Sequence, residues 1–236
     1  MNVDSGGQHQ KQLTLPVQLR EETTFDNFLD LPANRSLLNA LRSQLLPGGE
    51  PVIFLHGASG SGKSHLLQGS CHLAGDKALY LPLADLAGFA PGEILQGVEA
   101  MDIVCLDDLQ AVLGDRDWEI ALFDFYNRAR ARDCALLIAA DAPPRALQVG
   151  LADLRSRLAW GVVFQLARAS DEDRAEILRF RAGRRGLALT PEVAGYIVHR
   201  APRGITELLA VLDRLDRASL TEQRAVSIPF VKRALA

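Results

Sequence analysis

GASGSGKS, residues Gly57–Ser64, is the stretch that decides the fold of this 236-residue chain. It matches the pattern GxxxxGK[ST] in full, directly after the apolar run VIFLH (Val52–His56) and before a helical pattern. Glycines here let the backbone wrap a phosphate group, while N–H groups of the loop and of the helix N-terminus face the anion. An ordinary strand–helix turn rich in small residues is the alternative. The full match in this context favours a nucleotide-binding loop formed by Gly57, Ala58, Ser59, Gly60, Ser61, Gly62, Lys63 and Ser64.

The pattern of the phosphate loop predicts a metal-ion site beside it in the same chain. Lys63 is expected to reach the terminal phosphates, and Ser64 to ligate Mg²⁺. The stretch MDIVCLDDL (Met101–Leu109) contains a buried strand that ends in two carboxylates. Asp107 is placed to hold Mg²⁺ directly or through water, and Asp108 to orient or deprotonate an attacking water. For both aspartates, a helix N-cap at the strand end is the alternative.

Asp141 in IAADAPP follows another predicted strand. Ligands of open parallel sheets lie beyond the carboxyl ends of the strands, so Asp141 is a candidate contact for the γ-phosphate or its water. A turn-forming aspartate before Pro-Pro explains the same residue equally well. The sequence leaves both interpretations open.

Strand patterns alternate with helical ones from the phosphate loop to Leu166. The predicted strands are 52–56, 78–83, one within 101–109, 134–141 and 162–166, and WEIALFDFYNRARAR (Trp118–Arg132) is an amphipathic helix between two of them. Such alternation predicts an α/β fold with a parallel five-stranded sheet covered on both faces.

The pattern becomes wholly helical after Leu166. Ser170 with Asp173 forms a capping-box signature, and Thr190-Pro191 starts another helix. We therefore predict a flexible tail at 1–22, a nucleotide-binding α/β domain at 23–167 and a small all-helical lid domain at 168–236. The basic stretch RFRAGRR (Arg179–Arg185) is interpreted as the solvated face and end of a lid helix.

Composition limits the possible partners. The net charge of −3, with interspersed signs, argues against a strong electrostatic grip on nucleic acid by the chain alone. Three widely spaced cysteines within apolar segments (Cys71, Cys105 and Cys134) indicate buried small hydrophobes in a reducing compartment, so the expected location is the cytoplasm. No apolar run approaches the ~18 residues of a membrane span, and no membrane partner is expected.

Several runs together resemble the AAA+ ATPases and, more narrowly, the DnaA-related ones. These runs are FDNF (Phe25–Phe28), LDDLQ (Leu106–Gln110), LRSRLAWG (Leu154–Gly161) and ITELLAVL (Ile205–Leu212). The runs DWEIALFDFYNR, APPRAL, SDEDR, LDRLDRAS and IPFVK resemble the Hda family, whose members inactivate the replication initiator DnaA. The resemblance covers the chain from Gln12 onward and ends before the initiator's helix-turn-helix domain. It implies a fold with an AAA+ core and a helical lid.

The resemblance also assigns two arginine positions. Arg157 matches the family's arginine finger, which projects into the nucleotide site of a neighbouring subunit; a surface salt bridge is the alternative, and Arg155 is a lesser candidate. The second-sensor arginine of the family falls at Thr206, which carries no charge. Arg203, three residues earlier, is the candidate replacement. Because Thr206 cannot supply the charge, we expect the chain itself to hydrolyse ATP only weakly.

The peptide QLTLPV (Gln12–Val17) resembles the short peptide by which replication proteins bind the β sliding clamp. From the residues alone, an edge strand or a strap on the chain's own core is the better interpretation; the resemblance and the position in a tail favour the clamp. The four apolar side chains would fill a hydrophobic pocket, and the amide of Gln12 would meet its polar rim. The proline limits the conformations of the unbound peptide, so less entropy is lost on binding. The predicted clamp-binding residues are Gln12, Leu13, Leu15, Pro16 and Val17.

The resemblance thus implies a negative regulator of replication initiation. It would bind ADP or ATP with Mg²⁺, bind the DNA-loaded clamp, and stimulate ATP hydrolysis by DnaA through Arg157, reaching DNA only through the clamp. An autonomous AAA+ ATPase that loads a helicase is one alternative, and a scaffold that binds nucleotide only for stability is another. Whether the chain forms a homo-oligomer stays open.

Overall fold

A computed structural model describes residues 19–222 and 224–234. The strands in this part of the chain are β1 (Val52–His56), β2 (Ala78–Pro82), β3 (Ile103–Asp107), β4 (Ala135–Ala140) and β5 (Val162–Gln165). The α-helices are α1 (Arg35–Ser43), α2 (Lys63–Ala74), α3 (Leu83–Leu86), α4 (Pro91–Leu95), α5 (Arg116–Ala131), α6 (Ala152–Leu158), α7 (Asp171–Arg184), α8 (Pro191–Val198), α9 (Ile205–Glu222) and α10 (Ile228–Ala234).

The strands form one parallel sheet in the order β2-β3-β4-β1-β5. This confirms the predicted parallel five-stranded sheet. Strand β4 separates β1 from β3, with Phe54 paired to Ile138 and Leu106 paired to the same Ile138 on its other side. The carboxyl ends of β1, β4 and β3 therefore lie side by side, so the residues that follow these three strands share one edge of the sheet.

Alternate strand residues supply two cores, one on each face of the sheet. Ile53 and Leu55 pack on the face covered by α1 and α2, whereas Val52 and Phe54 pack on the face covered by α3 to α6. Each buried aliphatic or aromatic side chain contributes roughly 1.5–3 kcal/mol by leaving water. The three cysteines are all free and buried, as the sequence predicted.

Helix α5 begins two residues before its predicted start at Trp118. Asp115 accepts hydrogen bonds from the backbone N–H groups of Asp117 (2.9 Å) and Trp118 (3.3 Å), and so caps the helix two residues earlier than the apolar pattern shows. The polar first turn carries no apolar periodicity, which is why the pattern missed it.

Helices α7 to α10 pack around a separate apolar core. Leu178, Ile197, Leu208, Leu212 and Phe230 are buried within it. Ser170 and Asp173 form the predicted capping box, since the Ser170 hydroxyl accepts from Asp173 N and the Asp173 carboxylate accepts from Ser170 N, both at 3.0 Å. In the described part of the chain, none of the helices has both the length and the apolarity needed to cross a membrane.

Candidate nucleotide site

The phosphate loop lies between β1 and α2 in a shape that requires glycine. Gly60 and Gly62 have φ angles of 73° and 107°, in the left-handed region. A Cβ on Gly57 would collide with the carbonyl oxygen of Leu166, and one on Gly62 would lie 3.1 Å from the ring of Phe28. The loop is thus wedged between the end of β5 and the segment before α1.

Lys63 is the first residue of α2 and is buried. Its ammonium group donates hydrogen bonds to the carbonyl oxygens of Gly57, at 2.7 Å, and Ala58, at 3.2 Å. The cation is therefore fixed along the loop, beside the N-terminus of a 12-residue helix. The helix dipole and the ammonium charge both favour an anion at this point.

Asp107, at the end of β3, is almost fully buried (1 % exposed). Its carboxylate accepts hydrogen bonds from the Tyr80 hydroxyl, at 2.7 Å, and from Asp108 N, at 3.0 Å. Burial raises the pKa of Asp107, and the neighbouring Ser64 and Tyr80 hydroxyls offset part of that rise. Ser64 and Asp107 thus lie together, as predicted, and a hydroxyl beside a carboxylate is the oxygen donor set that Mg²⁺ prefers.

Asp108 and Asp141 are joined through Gln110. Asp108 has a left-handed backbone (φ 52°), and its carboxylate accepts a hydrogen bond of 3.0 Å from the Gln110 amide. The Gln110 carbonyl in turn accepts from Asp141 N, at 3.2 Å. Asp108 and Gln110 therefore bridge the tips of β3 and β4, one strand away from the phosphate loop.

The sequence pattern indicates neither Tyr80 nor Gln110 as a site residue. Tyr80 reaches Asp107 only because β2 pairs with β3, a contact between residues 27 positions apart. Gln110 lies two residues after the acidic pair, but its role depends on the distant β4 tip. Proximity to the acidic pair is the single sequence signal that could have drawn attention to Gln110.

A cleft of about 1090 Å³ opens over the phosphate loop. It is lined by that loop, by residues 20–34, by the strand-tip residues Asp108 and Asp141, and by lid helices α7 and α9. A Cβ on Gly60 would lie 3.5 Å from Gly204, so the start of α9 rests on the loop. Within the described residues, Thr206 lines the cleft, whereas the exposed Arg203 does not.

The basic stretch of α7 is not simply a solvated face, and that interpretation is wrong for Arg181. Arg181 is 6 % exposed. Its guanidinium donates to the Asn27 carbonyl and to the Glu22 carboxylate, both at 3.0 Å, and Arg185 donates to the same Glu22, at 3.1 Å. These bonds tie the lid to the segment that lines the cleft opposite it.

Arg181→Ala should therefore lower the free energy of unfolding by about 2 kcal/mol, the typical cost of losing hydrogen bonds to a charged group. For a chain of this size, that corresponds to a fall in melting temperature of roughly 4–8 °C. Differential scanning calorimetry measures it. Arg184→Ala, at an exposed position on the same helix, is the matched control and should change the melting temperature little. Equal losses in both variants would contradict the assigned contacts.

Arg157 lies at the opposite end of the sheet, near the amino end of β1. It sits in the last turn of α6, and a Cβ on the nearby Gly161 would lie 2.6 Å from the carbonyl of Val52, the first residue of β1. The phosphate loop follows the opposite end of β1, roughly 13 Å away at ~3.3 Å per residue. Arg157 is thus held away from its own chain's phosphate loop.

The Arg157 guanidinium stacks on an exposed tryptophan. Its Cζ atom lies 4.9 Å from the centroid of the Trp160 ring, and Trp160 is 71 % exposed. Among the residues that the structure describes, Arg157 forms no ion pair. Arg155 is exposed on the same helix. The predicted clamp-binding peptide, Gln12–Val17, lies outside the described residues.

Comparison with known proteins agrees with this architecture. Residues 171–235 match the family model described as "Hda, lid domain". Domain III of DnaA from Thermotoga maritima has a TM-score of 0.77 and 24% identity, over 93% of this chain and 98% of that one. DnaA bound to AMPPCP and single-stranded DNA has a TM-score of 0.72 and 22% identity, over 87% of this chain and 69% of that one. The Thermotoga maritima RuvB branch-migration motor has a TM-score of 0.68 and 15% identity, over 90% and 71% of the two chains.

Proposed function

We propose that this chain is an Hda-like AAA+ protein that regulates the initiation of DNA replication by stimulating ATP hydrolysis by DnaA, because residues 171–235 match an Hda lid domain and the fold is similar to domain III of DnaA. The observation that carries the proposal is the position of Arg157. A half-buried arginine that stacks on an exposed tryptophan, at the end of the sheet opposite its own phosphate loop, suits a site on another molecule.

In this proposal Arg157 completes the nucleotide site of DnaA. Its guanidinium would stabilise the negative charge that develops on the transferred phosphoryl group, an effect worth roughly 10³–10⁵ in rate for arginines supplied in trans. Stacking on Trp160 keeps the side chain extended near the surface, so less conformational entropy is lost when the partner docks. DnaA enters as the partner through the Hda lid match.

The chain's own site would hold ADP or ATP. The loop Gly57–Ser64 and Lys63 suit its phosphates, and DnaA itself has been solved with AMPPCP. Ser64 and Asp107 would hold Mg²⁺, which neutralises phosphate charge when bound. Asp108 and Asp141 would orient a water near the γ-phosphate. With Thr206 in place of a second-sensor arginine, hydrolysis by the chain itself would be slow.

Recruitment would come from the peptide Gln12–Val17, which binds the β sliding clamp in this proposal. One short peptide binds weakly, but a ring with several identical sites increases the effective concentration. The regulator would thus act where a loaded clamp marks newly replicating DNA. Its net charge of −3 agrees with contact to DNA through the clamp rather than directly.

The test is hydrolysis of labelled ATP by DnaA with this protein, ADP and clamp-loaded DNA. Stimulation well above the sum of the separate rates supports the proposal. Absence of stimulation, together with rapid hydrolysis by the isolated protein, would overturn it and favour an autonomous ATPase that loads a helicase. Absence of both would favour a nucleotide-stabilised scaffold.

Removal of residues 1–18 should weaken the stimulation of DnaA only when a loaded clamp is present. The truncation leaves Leu19, which packs on the core, in place. We expect the protein concentration that gives half-maximal stimulation to rise about tenfold on clamp-loaded DNA, because clamp avidity is lost. Titrations with the full chain and with a Leu13→Ala/Leu15→Ala variant provide the comparison. Unchanged titrations in both variants would assign the peptide no role in recruitment.

A further inference from the structure

Glu119 is a buried carboxylate for which the proposed function has no role so far. It lies in the first turn of α5 and is 3 % exposed. Three backbone N–H groups donate to it: Gly114 and Gly150 to Oε1, both at 3.0 Å, and Leu151 to Oε2, at 2.7 Å. A single side chain thus binds two loops that are remote in sequence.

The carboxylate is ionised in this setting. Burial by itself raises the pKa of Glu119, but the three N–H donors lower it, and the net pKa is below the ordinary value for glutamate. A buried carboxylate with three donors is strongly oriented, because each charge-assisted bond has a defined direction.

These bonds fix the start of α6. Leu151 is the residue that precedes the helix, and its apolar side chain cannot cap the free N–H groups there. Glu119, on the neighbouring helix, instead accepts from the N–H groups of Leu151 and of Gly150 before it, and so holds the backbone at the point where α6 begins. The fit is close, since a Cβ on Gly150 would lie 3.2 Å from Glu119 Oε2.

Helix α6 is seven residues long, and Arg157 lies in its last turn. Leu154 and Leu158 anchor its inner face in the core shared with Leu122 of α5. These apolar contacts are not directional, whereas the bonds to Glu119 define where the helix begins and how it is rotated. Leu151 and Arg157 thus lie at the two ends of one short helix.

We propose that Glu119 is the positioning residue for Arg157, holding α6 so that the guanidinium projects in the geometry that a partner's nucleotide site requires. The inference rests on the proposed function in trans. Reacting groups misplaced by about 1 Å can lose roughly 10²-fold in rate, so the position of the helix matters even though Glu119 touches no ligand.

Glu119→Gln tests this role. The amide keeps the size of the side chain, but its NH₂ group must face a backbone N–H, so at least one bond is replaced by a repulsive contact. We expect the maximal stimulated rate of DnaA to fall about tenfold, while the concentration for half-maximal stimulation changes less than twofold. The affinity of the protein for ADP should be unchanged. Asp124→Asn, which removes an exposed carboxylate from the same helix, should leave all three values unchanged.

Hydrogen exchange gives a readout that does not depend on DnaA. In Glu119→Gln, the amides of residues 153–158 should exchange about tenfold faster, while those of α2 keep their wild-type rates, because only α6 loses its anchor. If α6 exchange is unchanged, or if it speeds up without loss of maximal stimulation, the proposal is overturned. If the wild type does not stimulate DnaA, the proposed function fails, and the exchange result alone decides whether Glu119 holds α6.

Gly150→Ala is the second variant, for use if Glu119→Gln does not fold. The added methyl group would press on Glu119 Oε2 from 3.2 Å and disturb the same contact without removing a charge. The same loss of maximal rate, at constant half-saturation and constant ADP affinity, is expected. Wild-type behaviour on every readout would sink the idea.

Discussion

Replacing Arg157 with alanine should abolish almost all stimulation of DnaA, a loss of roughly 10³-fold in the stimulated rate. The reason is electrostatic, since the negative charge that grows on the phosphoryl oxygens would have lost its guanidinium. Affinity of the variant for its own ADP should equal that of the wild type, because Arg157 lies at the sheet edge opposite the phosphate loop. Single-turnover hydrolysis of ATP bound to DnaA measures the rate directly.

Two further variants show whether the loss comes from the charge and shape of the Arg157 side chain or from a general disturbance of α6. Arg155→Ala removes an exposed arginine from the same helix and should retain stimulation close to wild type. Arg157→Lys keeps the charge but not the planar fork, so it should recover only a small part of the rate. If Arg157→Ala stimulates as well as Arg155→Ala, the arginine has no function in trans, and a scaffold becomes the better description of the chain.

The parts of the fold that the sequence predicted are those set by local physics. The phosphate loop needs glycine at particular φ angles, and its pattern is contained in eight consecutive residues. The capping box of Ser170 and Asp173 joins residues three apart, and it was predicted together with its helix. The parallel direction of the strands could be predicted because each predicted strand alternated with a helix, whereas their order in the sheet was not predicted.

The contacts that escaped prediction join residues that are far apart in sequence. Arg181 was interpreted as solvent-exposed, yet its partner Glu22 lies 159 residues away. Tyr80 meets Asp107 across two neighbouring strands, and Glu119 meets Leu151 from another helix. Composition and hydrophobic periodicity do not indicate which distant residues contact each other. These three contacts hold the lid, the carboxylate proposed to hold Mg²⁺ and the helix of Arg157, so tertiary packing determines much of the site's geometry.

Lys63→Ala should raise the Kd for ADP roughly 100-fold, a loss of about 2.7 kcal/mol in binding free energy. The variant removes the one cation held along the phosphate loop in the described structure, and with it the hydrogen bonds from Lys63 to the carbonyls of Gly57 and Ala58. Titration calorimetry gives the affinity. A thermal shift provides a second measure, since ADP at 100 times the wild-type Kd stabilises a binding protein by ~2.7 kcal/mol and would stabilise this variant by only ~0.4 kcal/mol.

Lys77→Ala is the matched control for this change, because Lys77 is exposed and pairs only loosely with Asp102 at 3.8 Å. Its affinity for ADP should equal that of the wild type. An unchanged Kd in Lys63→Ala would contradict the assignment of the loop. Lys63→Ala could lose both its affinity for ADP and its stimulation of DnaA, while Arg157→Ala loses stimulation alone. The phosphate loop and Arg157, at opposite ends of the sheet, would then have separate functions. The chain's own nucleotide would then hold the module in its docking form, and the arginine would act on the nucleotide of its partner.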